Sequence, residues 1–183
     1  MFESYNIKIK ICLVGDSSVG KTSLVRRYVL DIYDDKYIST LGTKVSKKQM
    51  IIKKMNKNFK LTLSIWDVLG QKDFKNIHDM SFKCAKGALL VCDLTRKETF
   101  KNISIWESRV KKVAGEIPIV ILTNKSDLTD EYAITEANIQ LYSAQFNIPF
   151  FMTSAKYGDN VIKSFYKIGD LVIKKIIEES DKR

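Results

Sequence analysis

The sequence predicts an α/β fold: a mostly parallel six-stranded sheet with one antiparallel edge strand and helices on both faces. Three observations predict it. Short apolar runs alternate with helical patterns along the chain; a Gly-rich turn joins the first run to the first helix; and two β-patterned segments follow each other across a short polar bridge. At 183 residues the chain fits one domain, 1–183, with a short charged tail from about residue 178. A domain of that size buries roughly 70% of the surface its unfolded form exposes, so no disulfide or structural metal is required.

The elements follow in order. Lys8 to Val14 reads as a buried strand ending at Gly15, and a helix opens from about Gly20 and runs to Leu30. Val45 to Ile52 and Phe59 to Trp66, bridged by the polar Lys53 to Asn58, read as a hairpin that supplies the antiparallel edge strand. After a polar stretch with a short helix, apolar runs recur at Ala88 to Cys92, Ile117 to Leu122 and Ile148 to Met152, each followed by a helical pattern. The last helix spans about Asn160 to Glu178. Trp106, Phe100 and Phe165 have helical context and are expected in the core. In an open sheet of this kind, ligands bind beyond the carboxyl ends of the strands.

Hydrophobic residues make up 45% and charged residues 28%, with two prolines, which excludes a disordered chain. Cys12, Cys84 and Cys92 lack metal-type spacing and lie in apolar or helical runs, where free cysteine behaves as a small hydrophobe. A reduced, cytoplasmic protein is expected, without signal peptide or transmembrane helix. The net charge of +10 is uneven: no acid stands between Asp35 and Asp67, while Lys36, Lys44, Lys47, Lys48, Lys53, Lys54, Lys57 and Lys60 accumulate there. One basic face is expected, suited either to a solvated hairpin or to attraction toward anionic lipid at a membrane surface or an acidic partner. No aromatic interleaving or recognised binding module accompanies it, so nucleic acid is not expected.

Three motifs carry chemistry. Gly15-Asp16-Ser17-Ser18-Val19-Gly20-Lys21-Thr22 fits the phosphate-loop pattern G-x-x-x-x-G-K-[ST] between a strand and a helix. Its backbone N–H groups can curl around phosphate oxygens, Lys21 neutralises charge, and Thr22 offers a hydroxyl to magnesium. Asp67, at the end of the second hairpin strand, is a candidate metal carboxylate or a simple turn residue; only the upstream phosphate loop favours the former. Asn124-Lys125-Ser126-Asp127 and Ser154-Ala155-Lys156 both fall at strand ends. A carboxylate such as Asp127 accepts the two N–H donors of guanine, which adenine lacks. Lys125 supplies a stem against the base, Asn124 ties the loops, and the Ala155 amide can donate to guanine O6.

In the order GDSSVGKT, DVLGQ, NKSD and SAK, the chain resembles the Ras superfamily of small GTPases, a P-loop NTPase fold. Tyr37-Ile38-Ser39-Thr40, Asp93-Leu94-Thr95 and Glu98-Thr99-Phe100 look most like the Rab branch. The resemblance implies GTP/GDP and Mg2+ as cofactors and a switch with slow hydrolysis. Phosphate and base would be held by Gly15, Ser17, Ser18, Val19, Gly20, Lys21, Thr22, Ser23, Tyr33, Thr40, Gly70, Asn124, Lys125, Asp127, Ser154, Ala155 and Lys156. Metal ligands would be Thr22, Thr40 and Asp67, with Lys21 and Gln71 as the catalytic pair, Gln71 positioning water. Implied partners are effectors, GTPase-activating proteins and exchange factors, bound to a monomer through two switch loops.

Some positions depart from the family. Leu69 stands where a small Ala is usual and Val68 where Thr is, which keeps open a module that binds guanine nucleotide but hardly hydrolyses it. Lys72 replaces a Glu used in exchange. Of the Rab effector aromatics only Trp66 remains, with Val45 and Ser81 at the other two positions. No cysteine stands near the C-terminal end, so the sequence as it stands carries no prenylation signal; either a tail is missing or no lipid is used there.

Overall fold

Alternation of strand and helix builds the architecture. The computed structural model describes residues 4–33, 43–68, 70 and 75–181, with the backbone alone for 75–78. Its strands are β1 (Ser4–Val14), β2 (Thr43–Lys54), β3 (Lys57–Val68), β4 (Gly87–Asp93), β5 (Ile119–Asn124) and β6 (Phe150–Thr153). The helices of four residues or more are α1 (Lys21–Leu30), α2 (Lys75–Phe82), α3 (Lys97–Lys101), α4 (Ile103–Ala114), α5 (Glu136–Phe146) and α6 (Val161–Asp181). They form one six-stranded sheet of order β2-β3-β1-β4-β5-β6, in which only β2 runs antiparallel to its neighbour.

Period-two alternation divides the strand residues between two layers. Ile9, Ile11, Leu13, Leu61, Leu63 and Ile65 face α1 and α6, where Tyr28 stacks on Phe165 with ring centroids 3.9 Å apart. Cys12, Val14, Ala88 and Leu90 face the other way, onto Phe82 of α2 and onto Trp106 and Val110 of α4. Each such Phe or Leu contributes about 1.5–3 kcal/mol when fully buried. Trp106 and Phe165 are core, as expected, whereas Phe100 is only partly buried.

Several boundaries differ from the sequence reading. The hairpin has a two-residue turn, Met55-Asn56, with φ of 50° and 56°, so both strands run longer than their apolar pattern. Such paired left-handed residues match the twist of the flanking strands. β5 and β6 begin two residues later than expected, after Pro118 and Pro149, which have no N–H for a ladder. Asn124 thus closes β5 instead of following it.

Two expectations are corrected. Cys84 is exposed in a turn with φ 62°, not packed in an apolar run; Cys12 and Cys92 are buried. The hairpin lysines do not share one face. Lys48 donates to the Val29 carbonyl at 3.1 Å and Lys54 pairs with Asp170 at 2.7 Å, both on the α1/α6 side, while Lys47, Lys53 and Lys60 point to the opposite side. Alternation along the strands is the reason. Lys36 lies outside the described residues.

Candidate nucleotide site

The carboxyl ends of β1, β3, β4, β5 and β6 bring the predicted loops to one rim. The turn after β1 needs glycine twice. A Cβ on Gly15, at φ 147°, would stand 2.1 Å from the Val91 carbonyl oxygen, and one on Gly20, at φ 97°, would stand 2.2 Å from Asn124 Nδ2. Gly20 also caps α1 in the left-handed conformation, and Ser18 takes φ 61°. The loop therefore lies against both β4 and the Asn124 side chain, with Ser17 and Ser18 exposed, Val19 buried and Ser23 half-buried.

Lys21 turns back into this loop, its ammonium donating to the carbonyls of Gly15 at 2.8 Å and Asp16 at 2.7 Å. Burial pushes its pKa down to about 8, partly opposed by the nearby Asp67 and Asp16 carboxylates. Gly70 packs against the same place: a Cβ there would stand 2.5 Å from Lys21 Nζ and 2.6 Å from the Asp16 carbonyl oxygen. Thr22 Oγ1 donates to Asp67 Oδ2 at 2.5 Å, joining residues 45 apart in sequence. Asp67 is buried, which pushes its carboxyl up, and among the described residues its Oδ1 has no hydrogen-bond partner. A hydroxyl beside a buried carboxylate with an orphaned oxygen is a hard-oxygen donor set that fits magnesium, which keeps waters and phosphate ligands besides one carboxylate. The described residues include no cluster of three or more acidic, His or Cys ligands, which a magnesium site of this kind does not need.

The loops expected to read the base are held together by Asn124, which is 2% exposed. Its Nδ2 donates to the Val19 carbonyl at 2.9 Å; its Oδ1 accepts from Ala155 N–H at 3.2 Å and from Thr153 Oγ1 at 3.3 Å. Ser154 Oγ donates to Asp127 Oδ1 at 2.7 Å, fixing the carboxylate that would read the base. Lys125, at φ 68°, anchors its ammonium 2.6 Å from Asp93 Oδ2, which stretches its stem along the loop. Ala155 is buried and Lys156 exposed. Tyr33 lies beyond α1 and packs against the α1/α6 core cluster. Thr40, Leu69, Gln71 and Lys72 lie outside the described residues.

Supporting residues emerge that the motifs do not announce. Asp16 accepts from Trp106 Nε1 at 2.8 Å and from Asn102 Nδ2 at 2.6 Å, pinning the phosphate loop to α4. Arg27 donates to the carbonyls of Ala155 at 2.9 Å and Lys156 at 2.5 Å, tying α1 to the last loop. Asp93 is fully buried and also accepts from Arg96, which in turn donates to the Ser17 carbonyl at 2.9 Å. Burial alone would raise its carboxyl, but bonds from Lys125, Thr95 and Arg96 hold it below the usual carboxylate range. Near the hairpin end, Val45 pairs across the ladder with Trp66, and Ser81 is buried with its Oγ 2.7 Å from Thr43 Oγ1.

The Ras family model matches residues 10–174, which spans the whole rim. The chain belongs to the Ras family. Ras-related protein Rab-27B of Rattus norvegicus is 35% identical over 180 residues, covering 94% of this chain and 83% of that protein. Ras-related protein RABD1 of Arabidopsis thaliana is 35% identical over 177 residues, covering 96% and 84%. Ras-related protein Rab-27A of Rattus norvegicus is 33% identical over 186 residues, covering 97% and 84%. These relatives put the chain near the Rab branch. This Ras-family protein is a GTPase whose cofactors are GTP or GDP and magnesium. No described helix is long and apolar enough to cross a membrane.

Proposed function

We propose that this GTPase is a molecular switch of membrane traffic, a single G domain over 1–183 that works in the cytoplasm and at membrane surfaces. The observation that carries this reading is the convergence on one rim of Lys21, the Thr22–Asp67 pair and the Asn124–Asp127–Ser154–Ala155 frame. Each part has one task. The N–H groups of Ser17 to Ser23 and the Lys21 ammonium cradle the phosphates at the positive end of α1. Asp127, held by Ser154, accepts the guanine N1 and 2-amino donors. Lys125 lays its stem along the base, and Ala155 N–H, now given to Asn124, is placed to be shared with O6.

Magnesium, when bound, supplies neutralisation of charge on the β- and γ-phosphate oxygens. Thr22 and Asp67, with Thr40 as the family resemblance implies, would hold it. Gln71 orients the attacking water, and Lys21 stabilises charge that develops toward the β–γ bridge. No covalent intermediate is needed. In the GTP form Thr40 and Gly70 are drawn toward the γ-phosphate, ordering two switch loops that effectors, GTPase-activating proteins and exchange factors read.

Identification of the nucleotide extracted from purified protein, followed by single-turnover hydrolysis of GTP and ATP, tests this. Guanine nucleotide and a slow unaided rate, on the order of 10⁻⁴ s⁻¹, are expected. ATP bound as tightly as GTP overturns the base assignment. Absence of any hydrolysis, with guanine specificity intact, reduces the chain to a binding module.

A further inference from the structure

β1, β3 and β2 turn one surface toward α2 and α4, but those helices cover only its end nearest the nucleotide rim, around Trp66 and Cys12. The rest is open. The ladder registers place Lys10, Ser64 and Lys47 in one row, Lys8, Thr62 and Gln49 in the next, and Asn6, Lys60 and Ile51 in a third. Lys53 stands beside Asn58 beyond them. With strands about 4.8 Å apart and same-face residues about 6.7 Å apart, the patch is a flat area of roughly 10 by 20 Å.

Its charge has one sign. Lys8, Lys47, Lys53 and Lys60 are exposed and make no ion pair or hydrogen bond with a described residue. Lys10 lies over the Trp66 ring at 3.5 Å and donates from Nζ to the Lys83 carbonyl at 2.9 Å, while the Lys86 N–H donates to the Lys10 carbonyl, so Lys83 and Lys86 border the patch. No described residue on the patch is acidic, since none occurs in 4–14 or 43–66.

We propose that this open sheet face docks the protein on an anionic lipid surface. Three features favour lipid over an acidic protein segment. The charges are all lysine, compact point charges without the planar fork that reads carboxylates bidentately. Apolar groups stand among them: Ile51 is 51% exposed between the lysines, and Met55, at the hairpin tip beyond Lys53, is 70% exposed. An apolar side chain ringed by cations suits the boundary between headgroups and acyl chains. Finally, β2 is the sheet edge and its lysines oppose pairing with an added peptide strand.

The test is co-sedimentation of the full chain with phosphatidylcholine vesicles containing none or about a third phosphatidylserine. Poly-glutamate serves as the competing acidic ligand, and GDP binding checks the fold. Preferential binding to the phosphatidylserine vesicles that falls steeply with salt is expected. Each lysine near such a surface is worth about fivefold in affinity, so Lys47→Glu, Lys53→Glu and Lys60→Glu together should lower it at least about a hundredfold. Exposed Lys97, Lys112 and Lys163 changed to Glu carry the same change in net charge elsewhere and should lower it far less. Equal losses in the two triple variants, absence of selectivity for phosphatidylserine, or tight binding to poly-glutamate without vesicle binding would each overturn the proposal. Nucleotide hydrolysis plays no part in the readout, so failure here is distinct from failure of the switch assignment.

Discussion

Replacing Asn124 by Ala removes the side chain that holds three loops together. The amide makes three buried hydrogen bonds, to the Val19 carbonyl in the phosphate loop, from Ala155 N–H in the last loop, and from Thr153 at the end of β6. With 2% exposure, water does not replace them freely. At about 0.5–1.5 kcal/mol net for each bond, and more where a backbone group is left unpaired, the loss is about 3 kcal/mol. In a domain of this size that lowers Tm by roughly 6–12 °C. If half of it reappears as the cost of ordering the loops around nucleotide, GDP dissociates about tenfold faster.

Urea unfolding and stopped-flow release of a fluorescent GDP analogue measure the two effects. Asn124→Asp sharpens the test. It keeps the Oδ1 acceptor but faces the Val19 carbonyl with a second carboxylate oxygen, so its folded-state pKa lies above the unfolded value of about 3.9. A raised acid pKa means that the folded form binds more protons, so this variant loses stability as pH rises through that value and regains it on acidification. A loss under about 0.5 kcal/mol for Asn124→Ala, or a loss of stability with GDP release unchanged, would refute the loop-tying argument.

Further outcomes are expected at Lys21, Asp127 and Asp93. With nucleotide stripped off, Lys21 titrates near 8 instead of 10.5, so the unfolded state binds more protons between those values and stability should rise with pH across that window. Phosphate restores the charge, and calorimetry at pH 8 in buffers of different ionisation enthalpy should therefore show uptake of about half a proton per nucleotide; none taken up would contradict the burial argument. Asp127→Asn should lose about tenfold to a hundredfold in GTP affinity and gain xanthine nucleotide, whose carbonyl meets the new amide where guanine has an amine; competition binding decides. Asp93→Asn weakens the ties to both Lys125 and Arg96, which are partly exposed and so screened, and should speed GDP and GTP release by the same several-fold to tenfold factor. Release of only one nucleotide changing would show that Asp93 does not join the two loops.

The residues legible in the sequence are those whose chemistry dictates both type and spacing. A backbone crowding Val91 demands Gly15, and the roles proposed for Lys21 at phosphate and Asp127 at guanine each call for one residue type, so each announces itself in a short string. The mostly parallel sheet and its single antiparallel edge strand were legible for a similar reason, because period-two runs and a polar bridge leave few ways to build them, whereas the strand order emerges only in the fold. Residues that act on those residues carry no such mark. Asp16 occupies a position the phosphate-loop pattern leaves free, and Trp106 read as core, which it is; that its indole N–H also holds Asp16 follows from α4 crossing behind the loop. Asp93 closes an apolar strand like any turn residue. Only the fold brings Lys125 and Arg96 to the same buried carboxylate, so that base loop and phosphate loop share one anchor. The basic surface shows the converse. Its charge was plain in the sequence, but its shape was not, because alternation sends Lys48 and Lys54 to α1 and α6 and leaves Lys47, Lys53 and Lys60 on the part of the other face that no described helix covers.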